Sequence, residues 1–461
     1  MYFQSFYLTC LSHASYLIAS DGEAAVIDPQ RDVAIYIDEA RRHGFAIRHI
    51  IETHLHADFV SGHRELAGIT GATIHIGRRA DATFPHHPVD EGDEIQFGDC
   101  VLRFLETPGH TPEGVSVLIS DLAKSPHLYA VLTGDTLFVG DVGRPDLSAE
   151  YTPQELAGML FDSLHGKLLT LPDDVEVYPA HGAGSLCGRN MGPERSSTIG
   201  KERKLNYALQ PRSRDEFIDL LTHELPERPG YFAQDVELNR AGAESLGLLP
   251  PLRALQPAKV RAMQESGVMV LDTRPADQFA AGHVPGSIQI GLSGQYASWA
   301  AILLGLQQEI ILVAEDNECE EESRMRLSRV GIERVTGYLQ GGIAAWIGAG
   351  LSLQKFSEIR AEGLLAKIIE GGDSTQILDV RRPSEWEAGH VAAAIFGTLS
   401  HLDSQLDKLD RERPVAVYCK SGYRSTIAAS LLQRAGFSNV INMVGGFDAW
   451  QSAGLPVKIP S

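Results

Sequence analysis

Apolar runs rich in β-branched residues alternate with amphipathic helical patterns along most of the chain. In the first half, these short runs predict strands separated by helices, which is typical of a layered α/β sandwich. In the second half, the runs alternate with helical patterns such as 425–435, which indicates parallel sheets flanked by helices. The predicted strands are 15–19, 24–27, 73–76, 101–106, 115–119 and 128–132 in the first half, and 268–271, 310–314, 377–380 and 415–418 in the second.

The second half contains an internal repeat. Asp272-Thr273-Arg274-Pro275 recurs as Asp379-Val380-Arg381-Arg382-Pro383, 107 residues later, and Gly282-His283-Val284 recurs at the same interval as Gly389-His390-Val391. A Gly-Gly-x-x-x-Trp motif at 341–346 returns at 445–450. Units of about a hundred residues are larger than solenoid repeats, so we expect two tandem globular domains. The predicted domains are 1–247, 252–352 and 357–461, with a proline-rich linker at 248–252.

The amino-acid composition argues against some classes of binding partner. The 461 residues include 40 lysines and arginines against 60 aspartates and glutamates, a formal net charge of −20. This acidic balance argues against nucleic acid or an anionic membrane and favours a small-molecule substrate. The first 20 residues lack a basic segment leading into an apolar one, and no run has the roughly 18 apolar residues that a membrane helix needs. We expect a cytoplasmic protein, and a homo-oligomer is compatible with the sequence.

A series of histidines and aspartates follows the apolar runs of the first half. His54, His56 and Asp58 alternate on one extended segment, so their side chains point to the same side and can converge on one ion. His110, Asp135 and His181 then appear at further predicted strand ends. Any one of these histidines has an ordinary structural explanation, but the ordered series predicts a metal site.

This series resembles the metallo-β-lactamase superfamily, whose pattern is His-x-His-x-Asp-His followed by Gly-His-Thr, Gly-Asp and a final His. The resemblance covers nearly all of 10–185 and implies an αββα sandwich. Within it, the strings at 53–58, 134–138, 143–146 and 178–181 are similar to those of the persulfide dioxygenases. That family implies one Fe(II) per chain, bound by His54, His110 and Asp135. His56, Asp58 and His181 would surround these ligands, and Arg144 resembles the clamp for the substrate carboxylate.

One position departs from the superfamily pattern. Phe59 stands where the pattern has a histidine. In dinuclear hydrolases that histidine, together with the preceding aspartate and the last histidine, binds the second metal. A phenyl ring offers no ligand atom, so we expect a mononuclear site. Two imidazoles and a carboxylate with open positions are typical of non-haem Fe(II) sites that activate O₂.

The five cysteines have no paired spacing, which argues against a disulfide framework or a zinc ribbon. Cys10 and Cys100 are expected to be structural. Cys187 follows two glycines and a serine in the segment 182–190, which predicts a flexible, solvated loop rather than a core position. It either lines the metal pocket, where Arg189 would favour its thiolate and it could carry sulfur, or is an ordinary loop cysteine.

Cys419 has a more distinctive setting. It lies between the apolar run 415–418 and a helical pattern, so unpaired backbone N–H groups and the positive end of the helix dipole surround its thiol. These donors stabilise a thiolate and the terminal sulfur of a persulfide. Lys420 and Arg424 add positive charge that lowers a thiol pKa. We expect the loop residues Ser421, Gly422 and Tyr423 to bind substrate.

This loop resembles that of rhodanese domains, Cys-x-x-Gly-x-Arg-Ser/Thr, and the repeated motifs are rhodanese signatures as well. Phosphatases of the related fold use a loop with one more residue, so the length here favours sulfur chemistry. In the first repeat Glu315 takes the position of Cys419, and further acids follow it. Cys319 lies four positions later, among these acids, which raises a thiol pKa. We expect the first repeat to be catalytically silent and to act as a spacer or docking surface.

Together the resemblances imply a persulfide dioxygenase fused to a sulfurtransferase. A low-molecular-weight thiol persulfide and O₂ would give sulfite and thiol, and Cys419 would exchange sulfur with sulfite or thiosulfate. The main alternative is a zinc-dependent, glyoxalase-II-like thioester hydrolase, because fold does not fix function. A third hypothesis makes the tandem pair a persulfide-binding regulatory module without turnover. The sequence identifies neither the thiol carrier nor the direction of sulfur flux.

Overall fold

The computed structural model describes residues 1–125, 127–210, 213–223, 225–371 and 374–460. The chain separates into two compact units. One comprises Met1–Leu249 with Ser328–Gly331, and the other comprises Pro250–Leu327 with Ile332–Ser461. Across the described ranges, no helix combines the length and apolar character required to cross a membrane.

The first unit contains two six-stranded sheets. Its strands coincide with apolar runs rich in β-branched residues, and these runs end at glycine or polar residues. Apolar residues of both sheets interleave in a shared core that includes Tyr16, Ile51, Phe104 and Leu132. The first sheet has the strand order β1 (Tyr2–Leu8), β2 (His13–Ser20), β3 (Glu23–Ile27), β4 (Ala46–Glu52), β5 (Thr73–Gly77), β6 (His87–Val89). The second runs from its edge through β7 (Glu94–Phe97), β8 (Cys100–Glu106), β9 (Val115–Asp121), β10 (Leu128–Gly134), β11 (Glu176–Pro179) and β12 (Ser197–Thr198).

Helices cover the outer face of each sheet. Tyr36 and Leu66 pack against the first sheet and Leu160 and Phe217 against the second, which makes the unit an αββα sandwich. A capping box at Thr152 and Glu155 starts the longest of these helices. The helices are α1 (Ala34–His43), α2 (His63–Thr70), α3 (Pro153–Gly166), α4 (Ile199–Leu205), α5 (Arg214–Thr222) and α6 (Phe232–Ala241).

The second unit contains two five-stranded parallel sheets of identical topology. The first repeat has β13 (Arg253–Leu255), β14 (Met269–Asp272), β15 (Ile288–Gln289), β16 (Ile310–Val313) and β17 (Val335–Leu339), in the spatial order β13-β17-β16-β14-β15. The second repeat has β18 (Ser357–Ile359), β19 (Gln376–Asp379), β20 (Ala394–Phe396), β21 (Val415–Tyr418) and β22 (Val440–Met443), in the order β18-β22-β21-β19-β20.

The helices of this unit follow the strands as the alternating pattern predicts. They are α7 (Pro257–Glu265), α8 (Ala276–Ala281), α9 (Tyr296–Leu304), α10 (Asn317–Ser328) and α11 (Gly342–Gly348) in the first repeat, and α12 (Ala361–Gly371), α13 (Pro383–Glu387), α14 (Tyr423–Arg434) and α15 (Gly446–Ser452) in the second. The predicted fold class, a sandwich followed by two parallel α/β domains, is confirmed.

Candidate metal centre and sulfur-transfer loop

Three polar side chains converge at the ends of strands in the first unit. His54 follows β4, His110 follows β8 and Asp135 follows β10, and all three are buried. One candidate ligand atom of each lies within 4.8 Å of the others. Oδ2 of Asp135 is 3.4 Å from Nε2 of His110 and 3.7 Å from Nε2 of His54. The structure therefore brings together the three residues that the family resemblance assigns to iron.

Both histidines present Nε2 to the cluster because their Nδ1 atoms are engaged elsewhere. Nδ1 of His110 donates to the carbonyl oxygen of Arg144 at 2.9 Å. The Thr53 hydroxyl donates to Asp28, so Nδ1 of His54 is the donor to that hydroxyl at 3.0 Å. Such hydrogen bonds fix the tautomer and ring orientation of metal-binding histidines.

The cluster fits a metal ion. Nε2 of His110 is buried and, within the described part of the chain, makes no hydrogen bond, although Oδ2 of Asp135 is nearby. Two ligand atoms bound at about 2.1 Å to one ion lie roughly 3.0–3.4 Å apart, which is close to this spacing. The two groups are therefore placed as ligands of a common centre rather than as hydrogen-bond partners of each other.

Two glycines let the backbone approach this cluster. A Cβ atom at Gly143 would collide with the carbonyl oxygen of Asp135 and would lie 2.7 Å from Nδ1 of His110. Gly134 has a φ of +50°, and a Cβ there would lie 2.7 Å from the Thr53 hydroxyl oxygen. The packing around the ligands leaves no room for a side chain at either position.

His181 and Asp58 lie next to the cluster. Nδ1 of His181 donates to Oδ1 of Asp135 at 2.8 Å, and its Nε2 lies 3.1 Å from Oδ2 of Asp58. Burial alone would raise the pKa of Asp135, but the imidazoles of His181, His54 and His110 outweigh burial and hold that pKa well below its usual range. Asp135 is therefore an ionised carboxylate.

His56 turns away from the cluster, towards two acids that the sequence analysis missed. Its Nε2 lies 3.3 Å from Oδ1 of Asp28 and 3.7 Å from Oε2 of Glu52. A further buried histidine, His13, was also missed; its ring centroid lies 4.2 Å from that of Phe59. A polar residue within a buried strand, such as His13 at the start of β2, is the signal that could have found it.

Arg144 differs from its expected role as a substrate clamp. The side chain is buried, and its guanidinium donates to both carboxylate oxygens of Asp146, at 2.6 and 2.9 Å, and to the carbonyl of Pro226 at 2.6 Å. These internal bonds leave it poorly placed to bind a carboxylate of the substrate. Its carbonyl oxygen orients His110 instead.

Cys187 also differs from the prediction. It is 1% exposed rather than solvated, and Arg189 donates to the carbonyls of Leu220 and Leu221 instead of reaching the thiol. Burial and the carboxylates of Asp58 and Asp135 raise the pKa of the thiol well above its usual range. The glycine-rich loop packs into the protein, and Cys187 joins Asp58 and His181 within 4.8 Å.

In the second unit, Cys419 directly follows β21 and is buried at the amino end of α14. Its Sγ accepts the N–H of Gly422 at 3.1 Å. The carbonyl of Cys419 accepts the N–H of Phe447 at 2.7 Å, and a Cβ at Gly446 would collide with this turn. The fold therefore places the thiol at a helix amino terminus, as the sequence pattern predicts. Lys420 and Ser421 are exposed beside it.

Two other loop residues are held by groups outside the loop. Arg424 donates to both carboxylate oxygens of Glu385, at 2.7 and 2.9 Å, so Glu385 compensates much of its charge near Cys419. Tyr423 directs its hydroxyl away from the loop and donates to the carbonyl of Gly291, in the first repeat, at 2.8 Å. We expected Tyr423 to bind substrate, but its hydroxyl is engaged outside the loop.

The register of the sheets corrects the predicted alignment of the two repeats by one residue. Val313 pairs with Asp272 as Tyr418 pairs with Asp379, so Ala314 occupies the position of Cys419, and Glu315 follows it. Gln278 donates to this carboxylate at 2.7 Å. Burial and the neighbouring Asp316 raise the pKa of the Cys319 thiol to about 11. Both observations agree with a catalytically silent repeat.

The same repeat contacts one side of α14. Besides the Tyr423 bond, the N–H of Gln289 donates to the hydroxyl of Ser430 at 3.1 Å, and Arg434 donates to the carbonyl of Gly286 at 2.9 Å. These contacts recur at helical spacing along α14, so the first repeat supports the helix that follows the Cys419 loop.

Two family models match the chain. The model of the metallo-beta-lactamase superfamily matches residues 8–181, and that of the rhodanese-like domain matches residues 256–349 and 362–453. The expected combination of the two families in one chain is confirmed.

Individual relatives span two activities. The chain is 33% identical over 205 residues to the mitochondrial persulfide dioxygenase ETHE1 of Bos taurus, covering 43% of this chain and 71% of the relative. It is 31% identical over 234 residues to the hydroxyacylglutathione hydrolase of Hahella chejuensis, covering 50% and 86%. A crystal structure of a metallo-beta-lactamase from Staphylococcus aureus superposes with a TM-score of 0.67 at 33% identity, covering 74% of this chain and 98% of that one.

Proposed function

The chain belongs to the metallo-beta-lactamase superfamily, is homologous to the persulfide dioxygenases and carries two rhodanese-like domains, and we propose that it couples persulfide oxidation to sulfur transfer. In this proposal the first unit is an Fe(II)- and O₂-dependent dioxygenase for a low-molecular-weight thiol persulfide. The second repeat is a sulfurtransferase with Cys419 as its nucleophile. Sulfide-derived persulfide would thereby leave as thiosulfate.

The observation that carries the proposal is the cluster of His54, His110 and Asp135, together with the buried phenylalanine at position 59, whose ring centroid lies 6.3 Å from that of His181. Two imidazoles and one carboxylate are a ligand set typical of mononuclear non-haem iron. The phenyl ring of Phe59 removes a ligand that dinuclear hydrolases use. Iron bound by the three groups would supply the redox chemistry that lets O₂ react with the sulfur of a persulfide.

The protein groups hold these ligands in place. His110 bonds through Nδ1 to the Arg144 carbonyl and His54 to the Thr53 hydroxyl, which leaves both Nε2 atoms facing the cluster, where they would hold the iron. His181 donates to Asp135 and keeps that carboxylate ionised and oriented. All three ligands are buried, so bulk water has little access to the cluster.

The overall reaction balances with one O₂ and one water. R–S–S⁻, O₂ and H₂O give R–SH, SO₃²⁻ and H⁺. The bond between the two sulfur atoms is broken, the outer sulfur is oxidised to sulfite, and the inner sulfur leaves as the thiol. O₂ is the oxidant and supplies two of the three sulfite oxygens, and water supplies the third.

Cys419 then links sulfite to thiosulfate. A thiolate at Cys419 takes the outer sulfur of a thiol persulfide, and the donor thiol leaves with the electron pair of the broken S–S bond. Sulfite next attacks the outer sulfur on Cys419, which forms thiosulfate and regenerates the thiolate. The N–H of Gly422 and the amino end of α14 stabilise the negative sulfur in both steps.

In this scheme the first repeat is a structural support for the catalytic loop. Ala314, at the position of Cys419, cannot carry sulfane sulfur, but the segment 286–291 bonds to three residues of α14. The repeat therefore fixes the helix whose amino end faces Cys419.

The alternative is zinc-dependent thioester hydrolysis, which similarity to hydroxyacylglutathione hydrolases favours. The test compares anaerobically purified protein loaded with iron or with zinc on two substrates, a panel of thiol persulfides and a hydroxyacyl thioester of glutathione. The proposal expects O₂ uptake and sulfite from persulfide with iron alone. Thioester hydrolysis by the zinc form, with no O₂ uptake by the iron form, would favour the hydrolase.

A further inference from the structure

A pocket lined by histidines lies within the first unit, away from the proposed iron ligands. Residues of both sheets line it, and its volume is about 370 Å³. His49 lies in the middle of β4, three residues and roughly 10 Å before the end of the strand that His54 follows. The polar side chains of this histidine pocket are those of His49, Thr73, His75, His87, Asp93 and Glu94.

The histidines of the pocket come from three adjacent strands. Nδ1 of His49, in β4, is 3.1 Å from Nε2 of His75, in β5. His75 lies directly opposite His87 in the pairing of β5 with β6, and the two ring centroids are 5.4 Å apart. Asp93 and Glu94, at the beginning of β7, line the same pocket. The fold therefore brings three imidazoles and two carboxylates together.

His75 has a ring nitrogen without a partner. The side chain is 6% exposed, and its Nδ1 is buried and makes no hydrogen bond to any described residue. When Nε2 of His75 donates to His49, this Nδ1 carries a free lone pair; the opposite tautomer would leave a buried N–H without an acceptor. A hydrogen bond from one ring nitrogen that orients the other is typical of metal-binding histidines. His110 in the iron cluster has the same combination of one bonded and one unpartnered nitrogen.

The charges around the pocket favour a cation. Burial lowers the pKa of His49, and burial together with the charges of His49 and His87 lowers the pKa of His75 to about 4. Both imidazoles are therefore neutral at pH 7 and can bind a metal without releasing a proton. Among the described residues that line the pocket there are two acids, Asp93 and Glu94, and neither lysine nor arginine.

We propose that the histidine pocket binds a divalent transition metal ion such as Zn²⁺ through His75, His87 and a carboxylate of Asp93 or Glu94. Imidazole and carboxylate are ligands that suit Zn²⁺, whereas Mg²⁺ prefers oxygen ligands. His87 is exposed, so its side chain can rotate towards the ion. His49 is a positioning residue, because it accepts the hydrogen bond that orients the ring of His75. The site depends neither on the proposed oxidation of persulfide nor on the iron ligands.

The experiment uses the full-length, iron-loaded protein and Zn²⁺ as the probe under anaerobic conditions. Wild type should bind one zinc per chain more than His75→Gln, with equal iron content in both. His87→Ala alters an exposed side chain and should weaken this zinc binding at least about tenfold, since loss of even a supporting group costs that much. His49→Leu should weaken it about tenfold, and His49→Gln, which keeps a hydrogen-bond acceptor, should restore part of the affinity.

The controls locate the ion within the protein. His86 is the sequence neighbour of His87, but its Nδ1 donates to the carbonyl of Phe84 at 2.8 Å, and His86→Ala should leave zinc binding unchanged. Zn²⁺ should protect His87, but not His86, from carbethoxylation mapped by mass spectrometry, and Mg²⁺ should protect neither. Equal zinc in wild type, His75→Gln and His87→Ala, or equal protection of His87 by Mg²⁺, would overturn the proposal.

Discussion

Substituting Gly143 by alanine tests the geometry of the metal cluster without removing any ligand. The new Cβ would lie 2.7 Å from Nδ1 of His110, whereas ordinary contacts are about 3.5 Å, so the ring must move by roughly 0.8 Å. It would also collide with the carbonyl of Asp135, so two ligands are displaced together. Metal–ligand distances are held within about 0.2 Å, so a displacement of this size is large for the site.

We expect Gly143→Ala to weaken iron binding by about 10- to 100-fold, equivalent to about 1.4–2.7 kcal/mol, the range seen when groups supporting a metal ligand are altered. Crowding should also destabilise the fold by about 1–3 kcal/mol. The assay is iron per chain after dialysis against a weak chelator, together with thermal unfolding. Gly166→Ala is the matched control, because a Cβ at Gly166 meets open space. Unchanged iron retention in Gly143→Ala would refute the arrangement described for His110 and Asp135.

Three further predictions address other parts of the molecule. Cys419→Ser should abolish sulfur transfer from thiosulfate while leaving persulfide-dependent O₂ uptake near wild type, and Cys319→Ser should change neither; loss of transfer in Cys319→Ser would show that the first repeat carries the sulfur. Tyr423→Phe removes a hydrogen bond worth about 0.5–1.5 kcal/mol, so sulfur transfer should fall a few-fold with O₂ uptake unchanged; equal rates in mutant and wild type would show that the first repeat does not support the loop. Phe59→His should raise the affinity for a second cation in metal titrations, and an unchanged affinity would contradict the role given to this position.

Much of the fold is predictable because its apolar runs are long and are interrupted by clear breaks. The runs at 310–314 and 415–418 correspond to β16 and β21, and the helical pattern at 425–435 to α14. Strands at the sheet edges were missed because their patterns are short or half-exposed. β6 has three residues and β12 has two, and β1 is only partly buried along its length.

The ligand positions were predictable from motif order, but the surroundings of two residues were not. Glycines at 182 and 184 predict a mobile loop, yet this loop packs inward and buries Cys187. Arg144 follows a glycine turn, and nothing local in the sequence shows that Asp146 and the distant carbonyl of Pro226 bind its guanidinium. Both errors arise because contacts between residues far apart in sequence override local preference.

The contact between Glu385 and Arg424 shows the same limit in the second unit. The sequence places the guanidinium of Arg424 near Cys419. Its ion pair with Glu385, 39 residues earlier in the chain, reduces the effect of this positive charge on the thiol. Similarly, the sequence shows that the first repeat has no cysteine at the end of its central strand, but the pairing of β16 with β14 is needed to place Ala314 rather than Glu315 there. The bonds of this repeat to α14 become visible only when the two repeats are packed together.

The most direct test of the central claim is a titration of iron into the metal-free protein, with O₂ uptake and sulfite formation measured on a thiol persulfide at each step. The account predicts that activity rises in proportion to iron, saturates at one iron per chain, gives one sulfite per O₂, and is absent in His110→Ala. Activity that requires two metals per chain, or a zinc-loaded protein that hydrolyses thioesters while the iron-loaded protein consumes no O₂, would contradict it.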